Sequence, residues 1–467
     1  MFTKIIIYII VTLFVNIITK ETILFAWEMH RHGARAPYKG VVNGIDVFKE
    51  NWTQVEELSN IGRRMLYLLG TKVKKRYVDE YKLISENYNP QEIYIRSTDV
   101  NRTIESIQSF LQGLYPEGTG PTISDKVLNI KNITYPPNIK YKDDFEKIID
   151  FYNLTRDKAA LPYRMSIEPV HLFYRPNHEF ELYNTGICPG HKEIYEKQQI
   201  RPEVLELGDE LNTVFPWLKT LEGTDNDKFL QDYWTIYKYM DGFICDDVDQ
   251  RDFSYLKEHF GFNNETKESL RNYSKKYLWM DYSDTNYPVG HDNISIVANS
   301  YTIHSLINWM EIALDKSKKN EKYTKLVIYS AHDASIGALE AFMKYAFGTE
   351  IEYSTFAESR YIELYLEEDS NIPKVRYLKG DNTVKINKTF EEFKKIMNEK
   401  TWTDQQVNKF CGFKDNSKKG EAEEGEEQKK EQKIVKDNNN VSVACMIILI
   451  IVNVILLSIF ILLLLKK

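Results

Sequence analysis

Three short polar clusters in this 467-residue chain contain side chains that could bind and attack an anion. The first cluster follows an apolar run and holds Arg31, His32 and Arg35 close together. Guanidinium groups remain charged and match phosphate oxygens in a bidentate way. A neutral imidazole between two of them is a suitable nucleophile towards a bound phosphoryl group. Taken alone, this cluster could equally be a basic surface loop that contains a histidine by chance.

The other two clusters have the same layout, in which polar residues follow a β-prone apolar run. Arg96 follows the run at residues 93–95 and precedes residues 97–99, any of which can cap a helix. A guanidinium between a strand end and a helix N-terminus is a ready anion site. His332 and Asp333 follow the third run and offer a cationic hydrogen-bond donor and a carboxyl general acid. An ordinary structural ion pair could explain Arg96, and a His-Asp pair alone means little.

Strand ends must position these clusters if they act together. In open α/β sheets, ligands bind beyond the carboxyl ends of the strands. Apolar residues between Ser59 and Tyr77 recur with helical spacing, as expected for a helix that follows the first strand. The pattern therefore predicts an α/β fold in which three loops at one edge of the sheet form a single pocket. The pocket would collect Arg31, His32, Arg35, Arg96, His332 and Asp333.

The overall composition excludes several classes of protein. The net charge is −7 and no basic tract is present, which argues against a nucleic-acid partner. The 43% hydrophobic content is enough for a large core without a disulfide scaffold. The four cysteines and nine histidines show no spacing that is typical of a metal site. We therefore predict neither a metal nor a cofactor.

Both ends of the chain are strongly apolar. Lys4 is followed by about 14 apolar residues, which predicts a secretory signal peptide over residues 1–20. A buried first strand is the alternative. Residues 441–465 carry no charge and are long enough for a transmembrane helix. Residues 466–467 are two lysines, which suit a short cytoplasmic tail.

These ends predict a single-pass type I membrane protein, and a glycolipid anchor signal is the rival interpretation. Residues 414–440 are rich in Lys, Glu and Gln and predict a charged, flexible stalk. The folded ectodomain would span residues 21–413 and face the outside of the cell or a lysosomal or vacuolar lumen. A secretory route agrees with nine Asn-x-Ser/Thr sites, at Asn51, Asn101, Asn132, Asn153, Asn264, Asn272, Asn293, Asn387 and Asn440.

The three clusters resemble the motifs of the histidine acid phosphatase family, branch 2 of the histidine phosphatases, of its membrane-bound type. Residues 31–37 read Arg-His-Gly-Ala-Arg-Ala-Pro and resemble the family signature R-H-G-x-R-x-P. Residues 94–103 resemble its second block, and residues 329–333 resemble its third. The resemblance covers most of residues 23–413 and is weak between about 120 and 290.

This resemblance implies a large α/β domain of the phosphoglycerate mutase-like kind, with a central, mostly parallel sheet flanked by helices. A smaller, mainly helical domain would be inserted at about residues 120–290. The family hydrolyses phosphate monoesters at acid pH without a metal, through a covalent phosphohistidine. The resemblance makes His32 the nucleophile and Asp333 the proton donor to the leaving alcohol. The residues that would hold the phosphate are Arg31, Arg35, Arg96 and His332.

The implied chemistry sets requirements on the charge of each group. His32 must be neutral to attack phosphorus, and we expect Arg31 and Arg35 to lower its pKa because like charges disfavour the cation. Asp333 must be protonated to act as an acid, which favours low pH. We expect three guanidiniums and a cationic His332 to compensate the charge of the phosphate.

The resemblance also suggests a disulfide between Cys188 and Cys411, which would leave Cys245 without an evident partner. A phytase-like inositol polyphosphate phosphatase shares the motifs but would need more Lys and Arg around the pocket mouth. A mutase-like isomerase fits poorly because those enzymes are cytosolic. A non-catalytic receptor module on a stalk fits poorly because the catalytic set is intact. The oligomeric state stays open, with a homodimer among the options.

Overall fold

The computed structural model describes residues 21–52, 55–116, 119, 172–173, 188, 201–282, 294–352, 354–367 and 370–412. The predicted signal peptide, stalk and membrane helix lie outside these residues, and so does Cys445. The chain divides into two compact units, residues 1–407 and 408–467. Among the residues that the structure describes, no helix combines the length and apolarity needed to cross a membrane.

One seven-stranded sheet organises the described part of the chain, with the strand order β3-β2-β4-β1-β5-β6-β7. The first four strands in this order run parallel, and the remaining pairings are antiparallel. The strands are β1 (Glu21–Arg31), β2 (Ile93–Ser97), β3 (Leu172–Phe173), β4 (Leu326–Ala331), β5 (Ser359–Glu367), β6 (Lys374–Lys379) and β7 (Val384–Thr389).

The three apolar runs predicted as strands are β1, β2 and β4, and the α/β fold class is confirmed. Strand β4 lies between β1 and β2 and is buried along its whole length. Its buried faces explain why Leu326, Val327 and Ile328 are consecutive apolar residues instead of alternating with polar ones. Because β4 is parallel to both neighbours, Arg31 pairs with Ala331 and Ser97 with Ser330 at the same edge of the sheet.

Helices surround the sheet and fill much of the described sequence after residue 200. A short π-helical segment, Lys75–Glu80, extends the first of them. The helices are α1 (Asn60–Lys74), α2 (Asn101–Leu114), α3 (Pro202–Val214), α4 (Trp217–Glu222), α5 (Tyr233–Val248), α6 (Ser254–Phe260), α7 (Asn264–Tyr282), α8 (Ile294–Lys318), α9 (Asp333–Phe347), α10 (Phe390–Lys400) and α11 (Asp404–Cys411).

Two hydrophobic cores hold helices on the two faces of the sheet. Helices α1 and α2 pack on β1, β2 and β4 through side chains such as Leu66 and Phe110. Helices α8, α9 and α10 pack on the other face through Leu306 and Phe342, among others. Burying each such side chain contributes about 1.5–3 kcal/mol relative to its exposure. The sheet is therefore covered by helices on both faces and supports the loops at its edge.

A third core lies among helices α3 to α7, so residues 202–282 of the predicted insert are mainly helical, as expected, whereas Leu172–Phe173 of the insert form strand β3. Residues 120–171 and most of 174–200 lie outside the described residues, and the insert boundaries stay a prediction. Each of the five helices contributes a fully buried side chain, respectively Leu207, Leu218, Tyr239, Leu256 and Leu270.

The first residue of helix α1 agrees with the sequence prediction, whereas the cap of helix α2 differs from it. Helix α1 begins as predicted after Ser59, whose hydroxyl accepts a hydrogen bond from the amide of Gly62. Helix α2 begins after Val100, and no side chain caps it, so the cap expected among residues 97–99 was wrong. The hydroxyl of Thr98 is instead engaged with Thr103, within the site described below.

A pair of buried carboxyl groups ties the loop after β1 to helix α5. Backbone amides of Phe48 and Glu50 donate to Oδ1 of Asp46, and the indole of Trp52 donates to Oδ1 of Asp246. No hydrogen-bond donor among the described residues reaches the Oδ2 atom of either aspartate. Burial and the neighbouring carboxyl of Asp46 raise the pKa of Asp246 to about 10. The two carboxyl groups therefore share one proton at neutral pH.

This shared proton makes stability depend on pH. The unfolded chain releases it above pH ~4, whereas the folded protein retains it, so stability falls by up to ~1.4 kcal/mol per pH unit as the pH rises towards 10. Glu50 adds to the negative charge at the pair, and Arg251, which lies over Trp52, partly offsets it. We expect Asp246→Asn, a neutral isostere, to raise the unfolding temperature at pH 8 by about 2 °C or more, with little effect at pH 5.

Scanning fluorimetry at both pH values measures this change. The matched control is Asp247→Asn on the same helix. Burial raises the pKa of Asp247, but hydrogen bonds from Arg271 and Lys267 outweigh it and lower the pKa. Removing that carboxylate should destabilise the protein at both pH values. An Asp246→Asn variant that loses as much stability at pH 8 as at pH 5 would show that no shared proton is present.

Candidate active site

Arg31 is the last residue of β1, and its side chain is fixed on three sides. Its Nη1 donates to the carbonyl oxygen of Ser354 at 2.8 Å, and its Nη2 forms an ion pair with Asp333 at 2.6 Å. The guanidinium carbon lies 4.3 Å from the ring centre of Phe356. These contacts hold the positive charge at the carboxyl edge of the sheet, where the strand ends.

His32 is buried directly beyond the end of β1. Its amide donates to the carbonyl of Ala331, and its Nδ1 lies 2.9 Å from the carbonyl oxygen of Gly33. Because a carbonyl can only accept, Nδ1 carries the proton and Nε2 carries the lone pair. Burial lowers the pKa of His32 far below its usual value, and the positive charges around it lower it further. The structure therefore holds a neutral imidazole with a nucleophilic nitrogen.

The loop that carries His32 is pressed against the start of helix α1. A Cβ added to Gly33 would lie 2.4 Å from the carbonyl oxygen of Gly62, and one added to Gly62 would lie 2.0 Å from that of Ala34. Both distances are far below contact distance, so the two backbones meet only because both positions are glycine. This contact fixes the height of the loop above the sheet.

Arg35 is held by helix α5, which lies more than 200 residues away in the sequence. Both carboxylate oxygens of Asp241 accept from its guanidinium, at 2.9 and 3.1 Å. The hydroxyl of Tyr237 accepts at 3.1 Å, and the thiol sulfur of Cys245 lies at 3.5 Å. Both members of the ion pair are buried. Helix α5 therefore sets the orientation of this guanidinium.

Arg96 lies on β2, beside β4, and is buried. Its guanidinium carbon is 5.9 Å from the ring centre of Tyr329 on β4. The strand register places Arg96 opposite Tyr329, one position before the pairing of Ser97 with Ser330. Strand pairing thus brings Arg96 to the edge of the sheet where Arg31 and His32 lie.

His332 lies between β4 and α9, and both of its ring nitrogens have partners. Nε2 is 2.9 Å from the hydroxyl oxygen of Thr98, and Nδ1 is 3.5 Å from Nη2 of Arg102. A guanidinium cannot accept a hydrogen bond, so Nδ1 accepts and the proton is on Nε2. Burial, followed by the charge of Arg102, lowers the pKa of His332 to about 3. His332 is therefore neutral in the free site, and the expectation of a cationic His332 that compensates a bound phosphate stays a prediction.

Asp333 begins helix α9 and faces the site with a side chain that is 24% exposed. Burial raises the pKa of this carboxyl, but Arg31, then Arg35 and His332, outweigh it and lower the pKa to about 2. The amide of Ala334 also donates to its Oδ1. Asp333 is therefore a carboxylate as long as it is paired with Arg31.

The six residues predicted for the pocket thus lie around one edge of the sheet, and sequence reasoning missed three others. Arg102 lies within the second motif but was given no role, and its charge affects His32 more than that of either arginine of the first motif. Asp241 and Tyr237 gave no signal, because only helix packing brings them to Arg35. Within the described residues, no group of three or more His, Cys, Asp or Glu is arranged to hold a metal ion.

The cysteines agree in part with the pairing that the family resemblance implies. Cys188 and Cys411 are both disulfide-bonded, whereas Cys245 is a free, buried thiol. The pairing of Cys188 with Cys411 stays a prediction. Burial raises the pKa of the Cys245 thiol well above its usual value. Cys245 is therefore a neutral neighbour of Arg35 and not a reactive thiolate.

Comparison with known proteins shows which family and folds this chain is similar to. Residues 22–146 match the family described as histidine phosphatase superfamily (branch 2). This match over residues 22–146 agrees with the family that the motifs predicted.

Its relatives include a lysosomal acid phosphatase of Xenopus laevis, 24% identical over 362 residues, which cover 77% of this chain and 69% of the relative. Putative acid phosphatase 11 of Caenorhabditis elegans is 37% identical over 116 residues, 24% of this chain and 25% of that protein. The phytase of Klebsiella sp. ASR1 has a similar fold, with a TM-score of 0.50 at 12% identity over 82% of this chain and 97% of that chain.

The buried ion pair between Arg35 and Asp241 should be strongly coupled. Removing one partner of a buried pair leaves an uncompensated charge, which typically costs about 3–5 kcal/mol. We expect Asp241→Ala and Arg35→Met each to lower the free energy of unfolding, and the double variant to lose less than the sum of the two. Urea unfolding of the two single variants and the double variant measures the coupling free energy.

The exposed pair between Arg63 and Glu105 is a matched control, with side chains that are 43% and 33% exposed. Its coupling should be below ~1 kcal/mol, because solvent screens exposed charges. If the pair of Arg35 with Asp241 showed coupling as weak as this, the buried ion pair would not set the position of Arg35.

Proposed function

We propose that this protein is an acid phosphatase that hydrolyses phosphate monoesters through a covalent phosphohistidine on His32. The observation that carries the proposal is a neutral, buried imidazole placed between Arg31 and Arg35, with the carboxyl group of Asp333 beside Arg31. The names of the acid phosphatase relatives and the family match support it. The likeness to phytases concerns the fold alone and does not favour an inositol polyphosphate substrate.

Substrate binding is an exchange of anions at Arg31. The guanidiniums of Arg31, Arg35 and Arg96 match the oxygens of a phosphate group. A phosphate that binds there takes the place of the Asp333 carboxylate on Arg31. Because the phosphate then compensates the arginines, the pKa of Asp333 rises from its value of about 2 in the ion pair. The carboxyl can then hold a proton at acid pH.

The first chemical step forms the phosphohistidine. Nε2 of His32 attacks phosphorus, and the bond between phosphorus and the ester oxygen breaks. The electron pair goes to that oxygen, which takes the proton from Asp333 and leaves as the alcohol. The hydrogen bond from Nδ1 to the carbonyl of Gly33 keeps the ring in one orientation and stabilises the positive charge that develops on it. Fixed guanidiniums stabilise charge on the phosphoryl oxygens.

The second step regenerates the enzyme. A water molecule attacks phosphorus while the carboxylate of Asp333 accepts one of its protons. The bond between Nε2 and phosphorus breaks, the electron pair returns to His32, and inorganic phosphate leaves. Acid pH suits the cycle, because His32 stays neutral at low pH while the protonated form of Asp333 becomes populated when phosphate is bound.

We also propose that the catalytic part lies in a lumen or outside the cell and is held there by one membrane helix. The disulfide-bonded state of Cys188 and Cys411 supports an oxidising compartment. The signal peptide at residues 1–20 and the helix at residues 441–465 are inferred from the sequence. A chain that ends after residue 413 should be released into the medium of expressing cells, whereas retention of this chain in the membrane fraction would contradict the anchor.

The full-length protein in detergent tests the activity with 4-nitrophenyl phosphate at pH 5 and pH 7.5. We expect turnover that is greater at pH 5, persists with a chelator and disappears in His32→Ala. Acid-labile, alkali-stable phosphate bound to the protein would identify phosphohistidine. Absence of turnover, or its loss with the chelator, would overturn the proposal. Phytate in place of simple monoesters as the preferred substrate would favour the alternative of an inositol polyphosphate phosphatase.

The effect of removing the proton donor on the reaction rate should depend on the leaving group. We expect Asp333→Ala to slow formation of the phosphoenzyme by about 10²–10⁴-fold for an alkyl phosphate, because an alkoxide must otherwise leave unprotonated. The nitrophenolate group leaves readily without a proton, so 4-nitrophenyl phosphate should be slowed much less. Rapid-quench measurement of phosphoenzyme formation separates this step from hydrolysis. Equal slowing with both substrates would rule out a proton donor, and exposed Asp315→Asn serves as the unaffected control.

A further inference from the structure

The guanidinium of Arg35 has little hydrogen-bonding capacity left for a substrate. A guanidinium carries five N–H donors, two on each Nη and one on Nε. Nη1 donates to the carbonyl oxygen of Ala36 at 2.9 Å and to Oδ2 of Asp241 at 3.1 Å. Nη2 donates to Oδ1 of Asp241 at 2.9 Å and to the hydroxyl of Tyr237 at 3.1 Å. On this side chain, Nε alone is buried without a partner among the described residues.

The hydroxyl of Tyr237 has a donor that Arg35 does not use. A phenolic hydroxyl can accept one hydrogen bond and donate another. Its oxygen accepts from Nη2 of Arg35, and no acceptor in the described part of the chain takes its proton. Burial raises the pKa of Tyr237 well above its usual value, Asp241 raises it further, and Arg35 offsets only part of this. The hydroxyl therefore keeps its proton at every pH at which the enzyme would work.

Helix packing holds this hydroxyl at the site. Tyr237 lies one turn before Asp241 on helix α5, so both side chains reach Arg35 from the same helix face. Three aromatic rings lie 5.5–6.2 Å from the ring of Tyr237, centre to centre, and they belong to Tyr38, Trp234 and Tyr277. After burial and Asp241, the carboxylate of Asp333 also raises the pKa of Tyr237. The hydroxyl is thus fixed within electrostatic reach of the proposed proton donor.

We propose that Tyr237 is a substrate-binding residue of the phosphate site, whose hydroxyl donates a hydrogen bond to a nonbridging oxygen of the phosphoryl group. This inference rests on the proposed function and adds a neutral donor to the same site. Arg35 then meets the phosphate directly through Nε and indirectly through Tyr237. Because Nη2 donates to the hydroxyl oxygen, the positive charge of Arg35 polarises the O–H bond and strengthens its donation.

The Tyr237→Phe variant tests the proposal, because it removes the hydroxyl and keeps the ring. A hydrogen bond to a charged group contributes enough binding free energy that its loss should lower kcat/KM for 4-nitrophenyl phosphate by about 10–100-fold. The inhibition constant of inorganic phosphate should rise by about 10-fold for the same reason. Steady-state kinetics of the full-length protein in detergent at pH 5, with phosphate as a competitive inhibitor, measures both values.

The inhibition constant separates direct binding from a structural role. If Tyr237 only held Arg35 in place, its removal would free one Nη2 donor for the phosphate, and the inhibition constant would not rise. An unchanged inhibition constant in a folded Tyr237→Phe variant would therefore overturn the proposal. If this variant does not fold, 3-fluorotyrosine in place of Tyr237 keeps the hydroxyl and makes it a stronger donor. It should lower the inhibition constant, and a rise would overturn the proposal as well.

Tyr239→Phe is the matched control on the same helix, because the hydroxyl of Tyr239 donates to Glu222 and not to Arg35. Its kinetic constants and its inhibition by phosphate should equal those of the wild type. An equal rise of the inhibition constant in Tyr239→Phe would assign the effect to helix α5 in general and contradict a direct contact. An inactive wild-type enzyme would instead overturn the proposed phosphatase function.

Discussion

Most of the site follows from one constraint, which is that several guanidiniums must be buried together without destabilising the fold. A buried, uncompensated cation costs several kcal/mol, so each must meet an anion. Three carboxylates from three different segments do this in the described part of the chain. They pair Arg31 with Asp333, Arg35 with Asp241 and Arg102 with Glu56. The three segments that carry these carboxylates are therefore tied to the site by the charges that they neutralise.

These three carboxylates are not equivalent, because they differ in burial and in the element that carries them. Asp241 is buried and holds Arg35 with two hydrogen bonds, so it behaves as a fixed part of helix α5. Asp333 is partly exposed and lies at the start of a helix, and in the proposed mechanism it gives up its arginine to a phosphate. Glu56 lies further out and accepts a hydrogen bond from Arg102. The three ion pairs thus differ in the exposure of their carboxylates, which is least for Asp241, intermediate for Asp333 and greatest for Glu56.

The sequence predicted three of the seven strands, the first helix and six pocket residues, because strand ends followed by polar loops are a local pattern. Parallel pairing of β4 with β1 and β2 turns that local pattern into one site. Asp241 could not be predicted, since its contact with Arg35 depends on how a distant helix packs. The neutral state of His332 could not be predicted either, because it depends on burial and on Arg102. Protonation states are properties of the assembled pocket and not of the motif.

The contact between Gly33 and Gly62 leaves no volume for even a methyl group on either residue. Natural variation therefore cannot widen the site on this side without moving helix α1. Substitutions that reshape the site are possible on the side of helix α5. There the ring of Tyr38 lies 6.5 Å from that of Trp234, which is 39% exposed, and Lys39 lies over the same indole ring. In a lineage of such enzymes, the preference for one alcohol over another would diverge on the α5 side, while the α1 side stayed constant.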